Sequence, residues 1–143
     1  MRFMVIAKAT PESEKSGALP DPQLMLEMGK YNEELMKAGV LLALDGLHPS
    51  SKGARVKFSG KSRTVIDGPF TEAKELIAGF WILQVKSLEE AVEWVKRGPN
   101  GSADDYELEI RQIGEMEDFA PILSEEQIQH KVKKRAELPN QTA

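Results

Sequence analysis

Two short runs, Arg2 to Lys8 and Ala78 to Val85, are apolar on both of their alternating faces. In the first, Phe3, Val5 and Ala7 stand on one side and Met4 and Ile6 on the other; the second carries Phe80, Trp81, Ile82 and Leu83 in succession. A strand that offers hydrocarbon to both sides belongs inside a sheet covered above and below. Both runs are therefore expected to be central strands.

Between them the sequence supplies helix, strand and hairpin signals in turn. Pro11 to Pro22 is rich in Ser, Glu, Gly and Pro and reads as an exposed loop. Asp21 can cap a helix whose first position is Pro22, with Leu24, Met28, Tyr31 and Leu35 at helical spacing and Gly39 as its left-handed stop. Val40 to Leu47 reads as a strand that runs out at Asp45, Gly46, His48 and Pro49. Val56 and Phe58 alternate with Arg55 and Lys57, a turn follows at Ser59 to Ser62, and Thr64 to Ile66 returns. That pattern predicts a hairpin with one wet face.

After the central strand Ala78 to Val85, Ser87 with Glu90 has the spacing of a capping box. Leu88, Ala91, Val92 and Val95 form the stripe of a second helix, which Gly98 and Pro99 end. A turn at Asn100, Gly101, Asp104 and Asp105 leads to a half-buried last strand, Tyr106 to Arg111. The order β-α-β-β-β-α-β predicts an α+β protein: a ferredoxin-like antiparallel sheet with two helices on one face and an added β-hairpin. The uncovered sheet face would show Met, Phe, Trp and Leu to water, and pairing with a twin subunit is the simplest remedy, so a homodimer is expected.

The core domain is assigned to residues 1–114. In the extension 115–143 the composition changes, and Ser124 with Gln127 opens a helix whose only apolar stripe is Ile128, Val132 and Ala136. The chain from Leu138 onward is expected to fray.

Charge and composition narrow the function. A net charge of -4, from 19 basic and 23 acidic residues, provides no field to attract a polyphosphate backbone, so nucleic acid is not an expected partner. With no cysteine there is no disulfide, thiolate ligand or cysteine nucleophile. The apolar run near the N-terminus is closed by Lys8, too short for a signal sequence or a bilayer span, so a cytoplasmic protein with no membrane partner is expected. No phosphate-cradling glycine pattern is present, and His48 and His130 lie far apart without metal-ligand spacing; neither cofactor nor metal is expected.

The most specific motif is Asp67-Gly68-Pro69-Phe70-Thr71-Glu72-Ala73-Lys74-Glu75, followed by Ala78-Gly79-Phe80-Trp81. It resembles the signature of the DGPF branch of the YCII-related family, and the likeness extends from about Met1 to Ile113. The resemblance implies a dimeric α/β barrel related in fold to muconolactone isomerase, with a proposed His and Asp pair in a cleft. It does not imply an established reaction.

Read from the residues alone, Asp67-Gly68-Pro69 punctuates a strand end: the Asp side chain accepts backbone N–H groups, Gly68 permits unusual dihedrals and Pro69 stiffens the exit. The functional alternative places the Asp67 carboxylate beside an imidazole that it orients. His48 is the candidate imidazole, a proton-transfer side chain at a strand end where loops gather around pockets; its bland alternative is a loop histidine capping backbone groups. Lys52, Arg55 and Lys74 are candidates for holding an anionic substrate, with Ser50 and Ser51 as hydrogen-bond donors, each weighed against an ordinary surface role. Three functions follow. One is a cofactor-free lyase- or isomerase-like enzyme with His48 and Asp67 as catalytic pair. The second is a module that binds a small molecule without turnover, and the third a regulatory dimer whose tail recruits another protein.

Overall fold

The computed structural model describes residues 1–15, 17, 19–99 and 106–139. In chain order its elements are β1 (Arg2–Lys8), α1 (Pro22–Lys37), β2 (Leu41–Gly46), β3 (Ala54–Ser59), β4 (Ser62–Asp67), β5 (Ile77–Gln84), α2 (Leu88–Lys96), β6 (Leu108–Gln112) and α3 (Glu125–Ala136), with 3-10 turns at Ser50–Lys52, Ala73–Glu75 and Met116–Phe119. The chain divides into two units, Met1–Arg111 and Gln112–Ala143.

Four strands form one sheet in the order β2-β5-β1-β6, and β3 with β4 forms a separate two-stranded ribbon. The two central runs of the sequence are direct antiparallel neighbours: Phe3 stands opposite Leu83, Val5 opposite Trp81 and Ala7 opposite Gly79. Those residues share one face. They pack with Tyr31 and Leu35 of α1 and Ala91 of α2 into a single core. Phe3, Val5, Leu35 and Leu83 are at most 2% exposed, and burial of each such side chain stabilises the fold by roughly 1.5–3 kcal/mol.

The second face of the sheet is less enclosed. Met4 stands opposite Ile82 and Ile6 opposite Phe80, and these four are only half-buried. The core helices put their buried residues among Phe3, Val5, Trp81 and Leu83, on the face opposite these four. Trp81 itself lies on the covered face, its ring edge-on to Tyr31 at 6.3 Å between centroids.

Local chemistry sets the element ends. Asp21 Oδ1 accepts the Gln23 amide at 3.2 Å and Pro22 fills the first helical position, so α1 starts where its missing N–H costs nothing. Gly39, at φ 72°, takes the left-handed turn that releases the chain into β2. Ser87 caps α2 by accepting from the Glu90 amide, but Glu90 does not return the bond to Ser87: its carboxylate takes the Lys86 N–H at 2.8 Å, one residue earlier. The expected capping box is thus shifted by one position in one arm.

The hairpin also departs from expectation. Its register is regular, Val56 opposite Val65 and Ser59 opposite Ser62, and Gly60 at φ 57° supplies the positive dihedral that tight hairpin turns require. Yet neither face is buried: Val56, Phe58, Val65 and Ile66 are all exposed, because the ribbon stands off the four-stranded sheet. The last strand begins at Leu108 rather than Tyr106, and the predicted turn at 100–105 lies outside the described residues.

The second unit contains the Met116–Phe119 turn and α3. Ser124 and Gln127 form the reciprocal capping box that their spacing predicts, with the Ser124 amide donating to Gln127 Oε1 at 2.8 Å and the Gln127 amide to Ser124 Oγ at 3.2 Å. No α3 residue is fully buried, and residues 140–143, within the stretch predicted to fray, lie outside the described part. Among the described residues no helix is long and apolar enough to cross a membrane.

Candidate functional site

At Gly46 strand β2 ends beside β5, and the Leu47 amide donates to the Ala78 carbonyl at 2.7 Å. Pro49 then turns the chain into the 3-10 turn Ser50–Lys52. From the other side, β4 delivers Asp67 to the Gly68–Pro69 bond, which is cis, and Phe70 follows. The two segments close on each other: the Gly68 amide donates to the Gly53 carbonyl at 3.0 Å, and Ala54 stands opposite Asp67 in the ribbon. A Cβ placed on Gly68 would stand 1.7 Å from the Ser50 carbonyl oxygen, so only glycine lets the DGPF turn lie this close to the loop.

Ser50 is the hub. Its hydroxyl accepts the Phe70 amide at 2.9 Å and donates to a Glu14 carboxylate oxygen. The Ser50 amide donates to the same carboxylate, 3.2 Å from both oxygens. Three segments far apart in sequence therefore meet at one side chain. Phe70, fixed by its own backbone, carries the Arg55 guanidinium over its ring at 3.8 Å from the centroid, a cation–π arrangement that orients the charge. No carboxylate among the described residues pairs with Arg55.

The predicted residues are distributed as follows. Ser50 and Arg55 belong to this cluster. His48 and Lys52 flank Ser50 on the same loop and Asp67 precedes Gly68, and all three are exposed. Among the described residues no hydrogen bond or ion pair joins His48 to Asp67. Lys74 is exposed in the 3-10 turn Ala73–Glu75, and no bond ties it to Ser50. His130 is exposed on α3. Among the described residues no group of three or more metal-ligating side chains converges.

Glu14 was not a candidate from sequence, since a glutamate in a polar loop 36 residues from its partner leaves no local signal. Phe70 was visible only as part of the motif. Its service as a platform for Arg55 depends on the hairpin register, which places Arg55 opposite Ile66, near the DGPF turn.

Two surface concavities lie elsewhere. One, of about 340 Å³, runs along α2 and is lined by Glu90, Glu93, Trp94, Lys96 and Arg97. The other, of about 560 Å³, follows α3 and includes Gln127 and His130. Beneath the first, Tyr31 donates its hydroxyl to the Trp94 carbonyl at 2.8 Å, and burial pushes its phenol up to about 12, with Arg97 opposing that rise and Glu34 adding to it.

A small α+β protein with a four-stranded sheet backed by two helices, and a loop cluster locked at the sheet's end around a DGPF turn, is the class that these features define. The chain belongs to the YCII-related domain family, whose model matches residues 1–117. It is 28% identical over 93 residues to an uncharacterised protein of Rhizobium meliloti (strain 1021), a match that covers 65% of this chain and 75% of that protein. Among solved structures it is similar to a 5-chloro-2-hydroxyhydroquinone dehydrochlorinase from Burkholderia phenoliruptrix AC1100 in complex with 2,5-dihydroxybenzoquinone. That likeness has 16% identity and a TM-score of 0.44, and covers 80% of this chain and 95% of the other.

Proposed function

We propose that this protein is a homodimeric, cytoplasmic member of the DGPF branch with a ferredoxin-like core, and that it binds a small organic anion at the rim formed by Ser50, Lys52, Arg55 and Phe70. The observation that carries the reading is the Arg55 guanidinium, oriented 3.8 Å above Phe70 with no carboxylate partner among the described residues. An oriented guanidinium presents paired N–H donors that match a carboxylate, and the neighbouring ring suits an aromatic or unsaturated acid. The dimer is supported by the half-buried Met4, Ile6, Phe80 and Ile82, a hydrocarbon face that a second copy would cover.

The test is a thermal-shift and NMR titration with small aliphatic and aromatic carboxylates against wild type, Arg55→Gln and His48→Ala. Saturable stabilisation of wild type, weakened about tenfold or more in Arg55→Gln, is the expected result. If no acid shifts wild type, or all three proteins respond alike, the reading is wrong.

A second reading, turnover of the bound acid without a cofactor, is favoured by the close approach of Gly68 to Ser50, which brings the chain segments bearing Asp67 and His48 together. In it the His48 imidazole removes a proton from the substrate and returns it in a lyase- or isomerase-like step, with Asp67 holding the ring. Loss of turnover in His48→Ala with binding retained would separate this reading from simple binding.

A further inference from the structure

We infer that Glu14 is a positioning residue for the anion rim, acting through Ser50 and Phe70 on Arg55; the inference rests on the binding reading above and adds to it a residue outside the DGPF motif. The chain of contacts is continuous. The Glu14 carboxylate takes both the amide and the hydroxyl of Ser50. With its proton directed at Glu14, the Ser50 hydroxyl has its lone pairs turned to the Phe70 amide, which it accepts at 2.9 Å. Phe70 in turn supports the guanidinium of Arg55. Removal of the carboxylate frees the hydroxyl to rotate, so the Phe70 amide loses a fixed acceptor and the aromatic platform its anchor.

The loop that carries Glu14 is itself braced for this purpose. Thr10 and Ser13 exchange backbone-to-hydroxyl bonds in both directions, the Thr10 amide to Ser13 Oγ at 2.8 Å and the Ser13 amide to Thr10 Oγ1 at 3.1 Å, and Ser13 Oγ also donates to the Thr10 carbonyl at 3.0 Å. The Glu14 amide donates back to the Thr10 carbonyl at 3.1 Å. A turn closed on itself directly after β1 holds the carboxylate at a fixed distance from the sheet. Its charge is taken up by Ser50 rather than by a cation: among the described residues Glu14 has no ion pair, and Arg55 is left for a ligand.

The experiment has two arms on the intact chain. In the first, amide hydrogen exchange is followed in wild type, Glu14→Ala and Glu14→Gln without ligand. The Ser50 and Phe70 amides are expected to exchange at least about tenfold faster in Glu14→Ala, to be partly protected in Glu14→Gln, which keeps one acceptor oxygen, and Val5 and Leu83 are expected to be unchanged. In the second, affinity for the tightest-binding carboxylate is measured in a double-mutant cycle of Glu14→Ala with Arg55→Gln. Positioning through Arg55 requires non-additivity, the double variant binding no more weakly than Arg55→Gln alone. Unchanged Ser50 and Phe70 exchange in Glu14→Ala overturns the inference, as does strict additivity. If wild type binds none of the acids, the binding reading falls with the rim, while the exchange arm still decides whether Glu14 holds Phe70.

Discussion

The indole N–H of Trp81, on central strand β5, donates to Asn32 Oδ1 on α1 at 2.8 Å, so one core aromatic also fixes the first helix against the sheet. Trp81 is 9% exposed, and its indole has a single donor to satisfy. Asn32→Ala should therefore destabilise the fold by about 1–3 kcal/mol, the usual cost of stranding a buried donor. Urea unfolding measures it. A Trp81→Phe background, which lacks the donor, should show a smaller effect of the same Asn32 change; an equal effect in both backgrounds would mean that the bond contributes nothing.

The glycine of the DGPF turn makes a sharper test. Gly68→Ala drives a methyl group into the Ser50 carbonyl, backbone against backbone, and should cost at least about 2 kcal/mol and disturb the Arg55 rim with it. Gly53→Ala is the internal control: its nearest neighbour is the Ser50 carbonyl at 3.5 Å, an ordinary contact, and its φ of -118° suits any residue. That variant should lie within about 0.5 kcal/mol of wild type. Equal stabilities for the two variants would refute the close approach.

Much of this architecture was readable from residue order because its causes are local. Asp21, Pro22 and Gly39 mark α1 by what they do to backbone donors and dihedrals, and Gly60 marks the hairpin turn in the same way. The central strands declared themselves through hydrocarbon on both alternating faces, from Phe3 to Ala7 and from Phe80 to Leu83. What stayed hidden depends on distance in the chain. Glu14 reaches Ser50 across 36 residues and Arg55 meets Phe70 through a ribbon register, and no spacing rule encodes either contact. The hairpin's two exposed faces were also unreadable, since alternation predicts which residues share a side but not whether anything packs there.

The proposed self-association rests on the half-buried sheet face. Light scattering at micromolar concentration should return about twice the chain mass of 15.9 kDa. Ile82→Asp, aimed into that face opposite Met4, should halve the mass by placing a charge in the proposed interface. Circular dichroism of the variant checks that the monomer remains folded. A wild-type mass near that of a single chain would remove the support for a twin subunit.

Tyr31 predicts an alkaline signature. Its phenol is pushed from 10.0 to about 12, chiefly because burial disfavours the phenolate, and its hydroxyl donates to the Trp94 carbonyl. The folded-state value lies above the unfolded one, so the neutral phenol's contribution is fully present below pH 10 and is lost as pH climbs toward 12. Two units correspond to a ceiling of about 3 kcal/mol. Tyr31→Phe lacks this titration and, without the hydroxyl bond, should be about 1 kcal/mol less stable at neutral pH. Urea unfolding of both proteins should therefore show wild type ahead up to about pH 9, with the gap closing or reversing by about pH 11.5. Lysine titration is common to both chains and cancels in the difference. A gap that stays constant across that range would show that Tyr31 ionises alike in the folded and unfolded chain, and that the 2.8 Å bond to Trp94 sits where water can reach it.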